Sequence, residues 1–149
     1  MRPATIAFFM LALDGCSPHR AAPIAQGNWQ LIVCEGSVSK GSTCAFLYPT
    51  LKLEVHYSPD AGAVGDVLFT NTVSETVAHT LVVRGYGVIQ SFDITHVPTY
   101  DRDLSFFSVR LSSGLYEASV HLPLAYALDT GSNDMRALGE QLREITHAF

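Results

Sequence analysis

Between Leu51 and Tyr57 the chain alternates strictly. Leu51, Leu53, Val55 and Tyr57 fall on one side, and Lys52, Glu54 and His56 on the other. That period of two marks a strand with one covered face. Trp29 to Cys34 (WQLIVC) reads as a first strand, and Ala45 to Tyr48 begins a return strand that breaks at Pro49. The polar stretch Glu35 to Thr43 between them reads as a Gly/Ser loop. Further strands are predicted at Asp66–Thr70, Thr76–Arg84, Val88–His96, Ser105–Leu111 and Leu115–Leu122. They are punctuated by Ser58-Pro59-Asp60-Ala61-Gly62, Asn71, Gly85-Tyr86-Gly87, Pro98 to Asp103, and Ser112-Ser113-Gly114. At the C-terminus the period changes. Met135, Leu138, Leu142 and Ile145 recur at helical spacing behind Ser132-Asn133-Asp134, which offers an N-cap and a first-turn acid. The pattern predicts a mainly β fold: an antiparallel sandwich or small barrel of about 7–8 strands, closed by one amphipathic helix from about Asn133 to His147.

The N-terminal pattern is of another kind. Ala4 to Leu13 is an uncharged, mostly apolar run behind Arg2, too short to span a bilayer and of the length of a signal peptide's apolar core. Leu13-Asp14-Gly15-Cys16 resembles a lipobox, the signal at which a bacterial cysteine is lipidated and becomes the new N-terminus. The organisation expected is a signal peptide over 1–15, a tether over 16–26 rich in Pro and Ala, and a β-rich domain over 27–149. The address is the cell envelope, as an outer-membrane lipoprotein facing the periplasm or the exterior. The competing reading is cleavage near Ala25 and soluble secretion. Either way Cys16 is lipidated or discarded, which leaves Cys34 and Cys44 to form a disulfide.

Composition narrows the partners. Lys and Arg number 9 against 14 Asp and Glu, for a net charge of −5, and charged residues are only 15% of the chain. No basic patch or run appears, which argues against nucleic acid and against electrostatic docking on an anionic membrane. The membrane enters only through the lipid on Cys16, and the partner expected is an envelope or host protein.

No catalytic motif is present: no H-E-x-x-H, no G-x-S-x-G, no phosphate-binding glycine loop. No cofactor is implied. Of the six histidines, His56, His79, His96 and His121 fall on predicted strands. A metal-dependent hydrolase would need three of them to converge as zinc ligands, and spacing along separate strands does not establish that. Asp93 and His96 lie three apart on a strand and so face opposite sides, which opposes a direct acid–base pair. Asp101 and Asp103 make an acidic loop cluster, a candidate partner contact set against an ordinary solvated salt bridge with Arg102. The spacing of Cys34 and Cys44 lacks the C-x-x-C arrangement of redox-active pairs, so the disulfide reads as structural.

Two stretches carry resemblances. Gly27-Asn28-Trp29, then Cys34-Glu35, then Cys44, resembles the opening of the invasion-associated locus B proteins, small exported β-rich proteins of α-proteobacteria. Asn28 stands where those proteins carry an acid. The resemblance implies a non-enzymatic envelope protein. Ser112-Ser113-Gly114-Leu115-Tyr116 resembles the Ser-Gly-x-x-Tyr loop of the membrane-bound c-type lysozyme inhibitors, one residue short. It implies Ser113 and Tyr116 as partner-contact residues on a lipoprotein module. The expectation is a protein that binds another protein and is not an enzyme.

Overall fold

A computed structural model describes residues 28–37, 39–59, 65–91, 105–114, 116–124 and 133–149. They form one antiparallel sheet of six strands and two α-helices. The strands are β1 (Trp29–Ser37), β2 (Gly41–Leu47), β3 (Lys52–Ser58), β4 (Asp66–Thr72), β5 (Ser105–Ser113) and β6 (Tyr116–Pro123). Helix α1 (Glu75–Ser91) follows β4, and α2 (Asn133–Thr146) follows β6. The sheet order is β4-β3-β2-β1-β5-β6, so β1 lies inside with β2 and β5 as neighbours.

The fold is mainly β, as the alternation predicts. The expected sandwich or barrel of about 7–8 strands is not what the described strands make. They lie in one open sheet with two free edges, β4 and β6. The difference has a single cause: Thr76–Arg84 and the start of Val88–His96, read as strands, are helix α1. Residues 92–96 lie outside the described residues.

Three local features explain α1. The Ser74 hydroxyl accepts a hydrogen bond from the Val77 N–H at 3.3 Å, capping the first turn. Ala78, Leu81, Val82, Gly85 and Val88 are buried, a helical stripe. Gly85 is no turn: a β-carbon there would lie 2.7 Å from Leu31 Cδ1, so its absence lets the helix settle against the sheet. The β-branched Val77, Thr80, Val82 and Val83 obscured this stripe, since such residues also suit strands.

The loop expected over Glu35–Thr43 is mostly strand. β1 runs to Ser37 and β2 starts at Gly41, which pairs with it. Gly41 takes φ 81°, and a β-carbon there would collide with the Ser58 carbonyl oxygen. Leu51, expected inside β3, instead closes the β2–β3 turn with φ 63°; its N–H bonds Tyr48 O, and its carbonyl accepts from the Val73 N–H at 2.9 Å.

Core residues alternate along the strands: Trp29, Leu31 and Val33; Ala45 and Leu47; Leu53 and Val55; Phe107, Val109 and Leu111; Val120 and Leu122. They meet Leu81, Val82 and Val88 of α1 and Met135, Leu138 and Leu142 of α2. The C-terminal helix is thus part of the packed core, on the predicted stripe, with Ile145 half-buried. Arg84 ties the helices together, donating to Ala137 O at 3.1 Å and Gln141 Oε1 at 2.7 Å. No helix among the described residues is long and apolar enough to cross a membrane.

Candidate functional site

Both helices pack on one face of the sheet. The other face carries the intervening residues of each strand, and no described helix lies on it. Its centre is a row running straight across the strands. Antiparallel pairing sets Cys34 opposite Cys44, Cys34 opposite Ser108, Cys44 opposite His56, and Ser108 opposite His121. The order along the row is therefore His121, Ser108, Cys34, Cys44, His56. Directly opposed residues share a face and bring their β-carbons to about 5 Å.

The disulfide expected from cysteine parity is present, joining Cys34 to Cys44 across neighbouring strands with a Cα–Cα distance of 4.1 Å. Both cysteines are half-buried. Each end of the row is a histidine packed on a phenylalanine. The Phe46 and His56 rings meet edge-on with centroids 5.0 Å apart, and the Phe106 and His121 rings stack at 4.8 Å. With half-buried Ile32, these side chains give the face an apolar middle.

Its flanks are charged and balanced. On one flank Lys52 Nζ lies 2.6 Å from Glu54 Oε1, while His56 Nε2 lies 3.4 Å from Glu54 Oε2. The Lys52 bond, reinforced by His56 and Tyr48, holds the Glu54 carboxyl below its ordinary range despite its partial burial. The same partner raises Lys52. Burial, then the Glu54 charge and hydrogen bond, raise the Tyr48 phenol. A carboxylate already accepting from a lysine, a tyrosine and a histidine has little basicity to offer a substrate, so this cluster orients side chains. On the other flank Arg110 Nη2 lies 2.9 Å from Glu117 Oε1, both more than half exposed.

The sequence candidates distribute unevenly over this frame. His79 does not lie on a strand. It is exposed on α1, on the helical side. His56 and His121 share the open face but sit four strands apart, roughly 19 Å at the usual spacing. Among the described residues no three metal-ligating side chains converge. Ser113 closes the β5–β6 hairpin opposite Tyr116, with Gly114 in the turn at φ 55°. Cys16, Asp93, His96, Asp101 and Asp103 lie outside the described residues.

Sequence reasoning read the disulfide but not its surroundings. The parity was available: Leu31 and Val33 face in, so Cys34 faces out. That Ser108 sits beside it depends on β5 pairing with β1, which no local pattern encodes.

No protein-family model matches the sequence, and no curated protein matches it.

On the helical side, Trp29, Leu51, Ala78, His79 and Val82 line an apolar cleft of about 270 Å³. Ligand pockets usually start near 300 Å³ and combine apolar walls with convergent polar groups. Glu75 and His79, both exposed on α1, add polar groups to its lining. At the opposite end Arg143 Nη2 pairs with Glu35 Oε2 at 2.7 Å, drawing α2 onto β1.

Proposed function

We propose that this chain is a non-enzymatic envelope protein, anchored through lipid on Cys16, which acts by binding another protein through the open face of its sheet. One observation carries the reading: the face has an apolar middle (Ile32, Phe46, Phe106 and the Cys34–Cys44 bridge) between two charge-neutral flanks, Lys52–Glu54 and Arg110–Glu117. Specific protein interfaces have that anatomy, an apolar centre within a polar rim, with aromatic side chains as anchors. Nucleic acid would call for an excess of cations, and the flanks cancel. The partner this surface suits is a protein with an apolar patch of its own, in the envelope or on a host.

A photo-crosslinking residue at Phe46 tests it in intact cells. The expected result is a discrete protein adduct from Phe46 that is absent when the same residue replaces Glu140, exposed on α2. Equal labelling from both positions overturns the assignment of the face. A mass spectrum of the mature protein tests the anchor. Acylated Cys16 supports it, and an N-terminus near Gln26 replaces it with soluble secretion.

The Ser113–Gly114 hairpin supports a narrower version. Gly114 is exposed, and a β-carbon on it would meet nothing within 4 Å, so the tip is open to a partner. A lysozyme assay addresses this version. Absence of inhibition at micromolar protein removes it and leaves the face untouched.

A further inference from the structure

The Cys34–Cys44 bridge is out of place for a staple. A structural disulfide serves best where it is covered and where it ties segments the fold does not already hold together. This one faces away from the core and is half-buried on the side that no described helix covers. The strands it joins are also aligned without it. β1 and β2 pair in continuous register from Leu31↔Leu47 to Ser37↔Gly41, and β1 pairs with β5 over its whole length on the other side. Opening the bond therefore leaves β1 held on both flanks.

Its neighbours are those that assist thiol chemistry. Ser108 stands beside Cys34 and His56 beside Cys44 in the same cross-strand row. His56 is held in place by Glu54, 3.4 Å from its Nε2, and by the edge-on Phe46 ring. An imidazole beside a sulfur can donate a ring N–H to the departing thiolate, and a thiolate stabilised in that way is the better leaving group. A serine hydroxyl offers less.

We propose that Cys34–Cys44 is a thiol–disulfide exchange site, opened by an external dithiol and remade without unfolding of the sheet. The sequence of bonds follows from the neighbours. The thiolate of the external dithiol attacks Cys34 Sγ. The Cys34–Cys44 bond breaks, and Cys44 leaves as the thiolate beside His56. The mixed disulfide on Cys34 is then resolved by the second thiol of the reductant, which leaves as its own cyclic or intramolecular disulfide. Two electrons pass from the dithiol to the bridge, and its two protons end on Cys34 and Cys44. The class of partner is a dithiol reductant, protein or small molecule. The site stands whether or not the face also binds a protein.

The test uses the full chain, oxidised and folded, with dithiothreitol as the reductant. Alkylation mapped by peptide reads Cys34 and Cys44 separately from Cys16, while circular dichroism follows the strands. The expected result is reduction in native buffer at a rate within about tenfold of that in denaturant, with the strand signal retained and the bond re-formed by glutathione disulfide. Two variants read the direction. With glutathione disulfide the protein thiolate is the attacker, so Cys34→Ala, which keeps Cys44 beside His56, should collect the mixed disulfide at least about threefold faster than Cys44→Ala, whose Cys34 faces Ser108 instead. His56→Ala should slow reduction of the intact bridge about threefold or more. Reduction that proceeds only as fast as the protein unfolds, or a strand signal lost as the bond opens, overturns the proposal. Because those two outcomes are read on the unaltered chain, they stand even if a cysteine variant fails to fold.

Discussion

The two faces of the sheet are cut from the same strands, residue by residue in alternation. One face is packed with Leu31, Val33, Leu53, Val55, Val109 and Leu111, each no more than 2% exposed, under two helices. The other sets a disulfide, two histidines and two phenylalanines between charged pairs. The first face is interchangeable chemistry: any close-packed set of aliphatic side chains of that volume would do. The second is particular, because its neighbours have distinct roles and its side chains are only half covered. Stability should therefore reside on the helical face and function on the open one, and substitutions can separate them.

The largest effect belongs to the helical face. Leu142 is 1% exposed between the helix and the sheet. Leu142→Ala should cost about 2–5 kcal/mol by chemical denaturation. Ile32→Ala, on the open face of the same sheet, should cost less, about 1–2 kcal/mol, because part of its side chain stays in contact with water in the folded state. Equal costs would mean that the open face is covered in solution.

Next comes the bridge. Replacing Cys34 and Cys44 together with Ala removes a link between residues 10 apart in sequence. The chain-entropy argument assigns such a loop about 2.5 kcal/mol. A domain with the usual 5–15 kcal/mol survives that loss, so the melting temperature should fall while the strand signal at room temperature persists. An unfolded double variant would make the bridge a structural necessity.

The mid-helix glycines sharpen the contrast. Gly85 faces Leu31, which is itself 2% exposed and cannot give way, so Gly85→Ala should destabilise by about 1–2 kcal/mol despite better helix propensity. At Gly139 a β-carbon would meet only the Arg143 guanidinium, at 3.4 Å. Gly139→Ala should stabilise by about 0.5–1 kcal/mol. Thermal melts of the two variants should move in opposite directions.

These residues also show what could be read beforehand. Strands β3, β5 and β6 were legible because Leu53/Val55, Val109/Leu111 and Val120/Leu122 alternate with polar neighbours, and β1 because Trp29 to Cys34 is a short apolar run ahead of a polar Gly/Ser stretch. Helix α2 was legible because its apolar stripe has the helical period and no β-branched residue before Ile145. Helix α1 was not. Its stripe is overlaid with valines and threonines, and Gly85-Tyr86-Gly87 looks like a turn unless Gly85 is known to touch Leu31. Of the candidate site, the bridge and the outward parity of Glu54 and His56 were local facts. The row that brings Ser108 to Cys34, and keeps His121 far from His56, exists only through the order of the strands.

The smallest effect, and the one most specific to the open face, concerns Glu54. Lys52, with His56 and Tyr48, lowers its folded-state pKa, whereas in the unfolded chain the carboxyl titrates near about 4.3. A depressed carboxyl contributes stability above the unfolded value and loses it as pH falls through the lower folded value. Glu54→Gln should thus be less stable than the parent at pH 7, by a few tenths to about 1 kcal/mol, since Lys52 is half exposed to solvent. Below about pH 4 the deficit should shrink as the parent's own carboxylate is neutralised, and the two stability curves should converge. Added salt should narrow the gap at pH 7 in the same way, because the Lys52 attraction is screened. A deficit that persists unchanged into acid would mean that Glu54 is held by packing or neutral hydrogen bonds, and that the charged flank of the open face contributes no electrostatic stability at all.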